Sequence, residues 1–441
     1  MAELRIINLP YNTNPSSSDI LPVIKVSDGS TTKVTIANAV ASLSSLPLQA
    51  ANYVYVPITN NAVTNGNNLI AAYTSAKTLT PNGSSLSSTN RVSIIVPPGK
   101  YDLGTSFLTL DTEYIDLIGL TKEASHVIIT SASIGQTINQ TANDVRCIGF
   151  TVKNTSAFEA YAFSSNLNLA YCENIIFGSI YAGVLSGTFK NCTSTTLNYP
   201  NGAYCAYGGS AAGKFINCNG INSQLLSGGF AGISGTAPGI FINCTGSNTG
   251  GNGGGFVGNA GDASGTFTNC KGFHTGSNLG AGGFTGYGGY ASGIFINCIG
   301  KSEANNFGGG FAGRYGYASG TFINCTGTNT GGNGGGFVGT AGIASGTFTN
   351  CIGKNTGYAG GGFVGASGSA SGTFTNSLGI DETSGGGGIG GYTSIIKGRF
   401  INCKLLYDTN FPTLTNSGDS TKPACYINCL DNSGKLVNGS A

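Results

Sequence analysis

A short motif, aromatic-x-Asn-Cys, returns along most of this chain at a nearly constant step. From Cys192 the slots Cys218, Cys244 and Cys270 follow at 26 residues each. Cys298, Cys325 and Cys351 come after steps of 28, 27 and 26, Ser377 takes the next place, and Cys403 and Cys429 continue at 26. Ten units therefore stand in register. About twelve residues after each Cys comes Gly-Gly-Phe, with Phe230, Phe256, Phe284, Phe311, Phe337 and Phe363, then Ile389. Ala-Ser-Gly precedes the next aromatic, as in Ala263-Ser264-Gly265. A unit this short has too little apolar material to fold alone, and it shows brief alternating runs and turn residues but no helical period. Copies that stack on one another solve the problem, which predicts a solenoid of β-coils. At the inter-strand spacing of about 4.8 Å, ten coils make a rod segment of roughly 45–50 Å.

The repeated positions have physical reasons. Phe points into the coil. Asn tolerates the left-handed backbone region and can turn the chain between two strands. The turn breaks the alternation, so Cys faces inward again. Asn217, Asn243, Asn269, Asn297, Asn324 and Asn350 are expected to bond to one another up the rod as an amide ladder. Cys218, Cys244, Cys270, Cys298, Cys325 and Cys351 are expected to form a buried column beside them, since unpaired Cys packs as a small hydrophobe. No C-x-x-C occurs and Ser377 substitutes within the column, so a structural role is expected, with no metal and no cofactor.

Composition narrows the function. Only 9% of the 441 residues are charged and the net charge is +2, so no basic field is present to hold nucleic acid. No apolar window is long enough to span a membrane, and the opening Met1-Ala2-Glu3-Leu4-Arg5 leads into no signal-peptide core. Folding in a cytosol is expected, with reduced thiols. Gly208-Gly209-Ser210-Ala211-Ala212-Gly213-Lys214 resembles a phosphate-binding loop, but Phe215 stands where Ser or Thr is needed and belongs to the repeat. Only two histidines occur, and His274 is expected in a solvated loop. Glycoside cleavage needs two carboxylates about 5–10 Å apart. Asp262 and Glu303 fall in different slots, Asp381 and Glu382 are adjacent and diverge, and Asp111, Glu113 and Asp116 are expected on solvated surface.

The amino-terminal part differs. A helix is expected from Asn67 to Leu79, then a buried strand ending in Pro97-Pro98-Gly99. Further strands are expected at Phe107–Leu110, Tyr114–Ile118, Val127–Thr130 and Val145–Val152, with the helix capping the open end of the stack. The run Ile94-Ile95-Val96-Pro97-Pro98-Gly99-Lys100-Tyr101 and the later Leu117-Ile118-Gly119-Leu120, together with the helix and the Asn-Cys turns, resemble right-handed parallel β-helices of the pectate-lyase type. Residues Ile7-Asn8-Leu9-Pro10, Ser18-Asp19-Ile20-Leu21-Pro22-Val23 and Thr32-Lys33-Val34-Thr35-Ile36 resemble the amino-terminal segment of bacteriophage tail-fibre and tail-spike proteins. The resemblance implies an all-β chain with four parts: an attachment segment at 1–45, an irregular opening with its capping helix at 46–186, regular coils of a single-stranded right-handed parallel β-helix at 187–430, and a tail at 431–441. It implies a virion structural protein assembled in the host cytoplasm. Its partners would be itself, as a homotrimer, tail or baseplate proteins through residues 1–45, and a host surface glycan. A glycan-cleaving spike is the alternative, and a secreted adhesin or ice-binding protein is a further one.

Alignment of the units on the Gly-Gly-Phe aromatic gives the candidate binding residues. Three positions later stand Asn259, Tyr287 and Arg314, and six later Asp262, Tyr290 and Tyr317. With Tyr315 they are expected on one edge of the middle coils, where Tyr and Arg suit sugar stacking and polar recognition. The strand before Asn-Cys turns Ile240, Ile242, Thr266, Thr268, Ile294, Ile296, Thr321 and Ile323 outward, and Thr347, Thr349, Thr373 and Thr375 after them. This flat Thr/Ile strip fits a subunit contact or, as flat Thr-rich faces resemble antifreeze surfaces, ice.

Overall fold

The computed structural model describes residues 20–24, 31–35 and 52–440, apart from 157–160, 166–167, 197–200, 277–279, 304–306, 383–385, 407–424 and 432. It is a parallel β-solenoid with coils of about 26 residues. Each regular coil repeats one path. A three-residue strand with Phe at its centre, such as Ile240–Ile242, leads through Asn into a four-residue strand, Thr245–Asn248. The Gly-Gly-Phe segment then crosses the interior, and a two-residue strand such as Tyr290–Ala291 or Tyr317–Ala318 leads into the next coil. Like strands pair in parallel and in exact register from coil to coil, Phe215 beside Phe241, Phe241 beside Phe267, Phe267 beside Phe295.

The interior is aromatic. Phe rings of the three-residue strands stack face to face, Phe241 to Phe267 at 4.7 Å and Phe322 to Phe348 at 4.8 Å. The Gly-Gly-Phe rings make a second column, Phe256 to Phe284 at 4.8 Å. The two columns meet edge to face, as Phe256 and Phe267 do at 87°, which satisfies both ring quadrupoles. The glycine at the second position of the four-residue strand makes room for this: a Cβ on Gly246 would collide with the Gly255 carbonyl.

Both ends of the stack differ from the repeat. Helix α1 spans Ala62–Ala76, earlier at both ends than expected. The Asn61 side chain caps it by accepting from the Thr64 amide at 3.0 Å, a start signal that lies outside the apolar run. Its Leu69, Ala72, Tyr73 and Ala76 close the first coils. The expected strand over 145–152 is two, Arg146–Ile148 and Thr151–Asn154, separated at Gly149, whose φ is 71°. Residues 431–441 are more than a tail: Leu436–Ser440 pairs antiparallel with Cys425–Leu430, the last strand of the ladder. Of the attachment segment only the antiparallel pair Ile20–Ile24 and Thr31–Thr35 is described, and Ile7–Pro10 lies outside the described residues.

Candidate functional site

The Asn corner is a ladder. Asn217, Asn243, Asn269, Asn297, Asn324 and Asn350 all have φ of 52° to 54°. The Asn324 amide donates to Asn297 Oδ1 at 3.1 Å and accepts from Asn350 at 3.2 Å, and the pattern runs down to Asn191 and Asn174. Beside it lies the sulfur column. All 13 cysteines are free thiols, and of these Cys425 alone is exposed. Cys325 Sγ donates toward the Phe295 carbonyl at 3.2 Å and the Ile323 carbonyl of its own coil at 3.4 Å. Ser377 makes the same pair of bonds, to Phe348 and Thr375, so the slot selects a small buried donor. Burial pushes the Cys244 and Cys298 thiols far up. A thiolate at Cys218 would draw hydrogen bonds from Cys192 and Cys244 and so be favoured locally, but only by holding both neighbours protonated. For the column as a whole, burial governs and the thiols stay neutral.

The six binding candidates fall into two groups. Asp262, Tyr290 and Tyr317 form one column on the short strands. The Tyr290 and Tyr317 rings stack at 4.9 Å and 6°, with Tyr290 44% exposed. Asp262 accepts a hydrogen bond from Ser292 Oγ at 2.6 Å. Because the two rings face each other along the rod axis, they present edges and hydroxyls outward, not open faces. The second group is Tyr287, Arg314 and Tyr315. Tyr287 meets Tyr315 edge to face at 5.5 Å. The Arg314 guanidinium lies 4.3 Å from the Phe307 ring centre and 4.7 Å from that of Tyr315, and it donates to the Tyr315 hydroxyl at 3.0 Å. Arg314 is thus a clamp on its own corner, half-buried, and its charge is less available than its slot implies.

Two exposed aromatics extend this edge. Tyr207 and Tyr392 are 60% and 62% exposed and occupy the slot of Tyr287 and Arg314 in other coils, as the backbone bonds of Gly208 to Ile233, Gly288 to Arg314 and Ser367 to Tyr392 show. The signal was present: each lies three residues after the column aromatic or its substitute, Tyr204 and Ile389. Those two units lack the Gly-Gly-Phe spelling that set the alignment.

Several titratable groups elsewhere are buried or paired. His274 is fully buried, not in a solvated loop. It continues an interior column of Asn222, Asn248, Ser302 and Asn329 at the end of the four-residue strands. Burial holds its imidazole down at about 4, and among the described residues neither ring nitrogen has a hydrogen-bond partner. Asp381 ends the same column, accepting from Asn355 at 3.0 Å, while Glu382 pairs with Lys354 at 2.7 Å. Asp116 is also buried rather than solvated, clamped by Arg91 Nε at 2.8 Å, with Asp144 on the same guanidinium at 2.9 Å. Asp111 binds Lys77 at 2.7 Å. Among the described residues no helix is long and apolar enough to cross a membrane.

No family model and no curated protein matches the chain. A solved structure named Geobacillus virus E2 - ORF18 aligns with 93% of this chain and 66% of its own length, at 12% identity and a TM-score of 0.33. This chain thus spans about two thirds of that protein's length. An overlap so loose establishes neither a common fold nor a common function.

Proposed function

We propose that this chain is a structural protein of a tailed-phage particle, a tail fibre or spike whose solenoid is a rigid shaft and whose Tyr290–Tyr317 edge contacts a host surface glycan. The observation that carries the reading is the column of Asp262, Tyr290 and Tyr317 on a rod held by continuous internal ladders. Such a rod presents side chains at a fixed spacing and yields little under lateral load, as a shaft requires. The likeness of residues 4–40 to tail-protein amino termini supports an anchor in that segment. Self-association as a homotrimer has support in the uncharged Thr/Ile strip, where Ile240 and Ile294 are 48% and 45% exposed. Glycan cleavage is the weaker reading, because Asp116, Asp262, Asp381 and Glu382 are each tied to a neighbour. Gold-labelled antibody raised against the solenoid should decorate the tails of intact particles in electron micrographs. Label confined to free protein would sink the assignment. New reducing ends after incubation with host polysaccharide would replace it with an enzyme.

A further inference from the structure

The outward face of the early coils differs in chemistry from the Thr/Ile strip that continues it. Asp116, Arg146, Tyr171, Thr188 and Lys214 follow one another in register on the paired strands of successive coils. Ile148, Glu173 and Lys190 form the parallel row. A shallow cavity of about 290 Å³ opens here, lined by Arg146, Ile148 and Tyr171. That volume sits at the small end of ligand sites.

Two further observations mark the place. Among the described residues, the strand Asn168–Glu173 carries the only register shift between parallel strands, between Leu169 and Tyr171 opposite Gly187. A bulge re-aims the side chain that follows it, and bulges gather beside functional sites. The side chain so aimed is Tyr171. The local charges are also unevenly used. Glu173 accepts from the Tyr171 hydroxyl at 2.9 Å and pairs with Lys190 at 2.7 Å. Asp116 receives the Arg146 backbone amide at 3.0 Å, but Arg91 neutralises its carboxylate. The Arg146 guanidinium is exposed and makes no ion pair among the described residues.

We infer that this cavity is a second binding site, in which the Arg146 guanidinium takes the carboxylate of an acidic sugar whose ring lies against Tyr171 and Ile148. The planar fork of Arg matches a carboxylate with two parallel bonds. An aliphatic floor and a phenol fixed by Glu173 suit a ring with one apolar face, and the cavity holds one such ring. A carboxylate on a peptide offers the same anion but no ring to fill the space. The inference takes its class of ligand from the glycan reading above. It uses a different face and different residues from the Tyr290–Tyr317 edge.

The test is titration calorimetry of the full chain with a hyaluronan hexasaccharide, its carboxyl-reduced form, and a Glu-rich peptide of equal charge. Binding of the acidic sugar at least tenfold tighter than of the reduced form is expected. Arg146→Gln should abolish that difference, Arg146→Lys should keep part of it, and Tyr171→Ala should weaken both sugars. Tyr290→Ala with Tyr317→Ala should leave all of it unchanged, which separates this site from the attachment edge. Equal binding of the two sugars, no binding of either, or an Arg146→Gln variant that binds as the parent does would overturn the proposal. Equally tight, Arg146-dependent binding of the peptide would also overturn it, by making the site one for protein carboxylates. Melting curves guard against misfolding, and should Arg146→Gln fail to fold, the charge-retaining Arg146→Lys decides.

Discussion

At the residue scale the solenoid depends on a few side chains repeated at equivalent places, and their costs can be tested singly. Asn324 has φ of 54° and bonds to Asn297 below and Asn350 above. Asn324→Val should lose about 1–2 kcal/mol for the left-handed backbone and about 1 kcal/mol for each amide bond. Asn324→Gly keeps the backbone and loses only the bonds, so its melting temperature should fall between those of Val and the parent. Thiol labelling of the native protein should reach Cys425 and spare the column, which reacts only on unfolding. His274 gives a pH dependence. Its folded pKa of about 4 lies below the unfolded value near 6.5, so the buried neutral ring adds stability above pH 6.5 that is lost as pH falls toward 4. The loss is on the order of 3 kcal/mol. Asn occupies the same slot at 222, 248 and 329, so His274→Asn should flatten the acid limb of a stability-against-pH curve. An unchanged limb would assign acid sensitivity elsewhere.

At the scale of elements, the sequence and the structure agree where a residue has one reason to be where it is. The Asn turn was legible because few other residues accept positive φ, and the Phe and Cys columns because their spacing never drifts by more than two residues. The opposite corner was not legible. Ser234, Ala260, Tyr315, Ala341, Ser367 and Thr393 all have φ of 53° to 59° there, yet the slot has no signature, since the flanking register imposes the conformation on whatever residue arrives. The burial of His274 escaped for a related reason: it replaces Asn in a column whose members hold glycine loops by side-chain bonds, and its type alone suggests solvent. The closing strand escaped because Leu436–Ser440 alternates too briefly to stand out. Its role is to cover the free edge of Cys425–Leu430, and open edges recruit other strands. A variant ending at Asp431 should therefore form concentration-dependent oligomers on size-exclusion chromatography with light scattering. The parent's elution should not depend on concentration in the same way. A truncated chain that behaves as the parent does would mean that the edge is protected by something else.

At the scale of the whole molecule, stacking converts sequence period into spatial period, and this decides how the rod can be read by a partner. Slots that recur every coil lie one strand spacing apart, as Tyr290 and Tyr317 do at 4.9 Å. A pair stacked in this way offers two hydroxyls and two ring edges, beside the Asp262 carboxylate that Ser292 steadies. That surface favours hydrogen bonds over face stacking, so removing the hydroxyls should matter almost as much as removing the rings. Tyr290→Phe with Tyr317→Phe should slow particle adsorption to host cells severalfold, and the corresponding double Ala variant should slow it further. Both should melt close to the parent, because neither ring belongs to the interior columns and Tyr290 is 44% exposed. The double Phe variant is the informative one. Adsorption unchanged in Phe but lost in Ala would mean that ring edges, not hydroxyls, make the contact. Adsorption unchanged in both would remove this edge as the receptor surface and move attachment to Tyr207 and Tyr392, which lie toward the two ends of the neighbouring slot. Their faces carry no aromatic partner among the described residues, so a sugar ring could stack there directly.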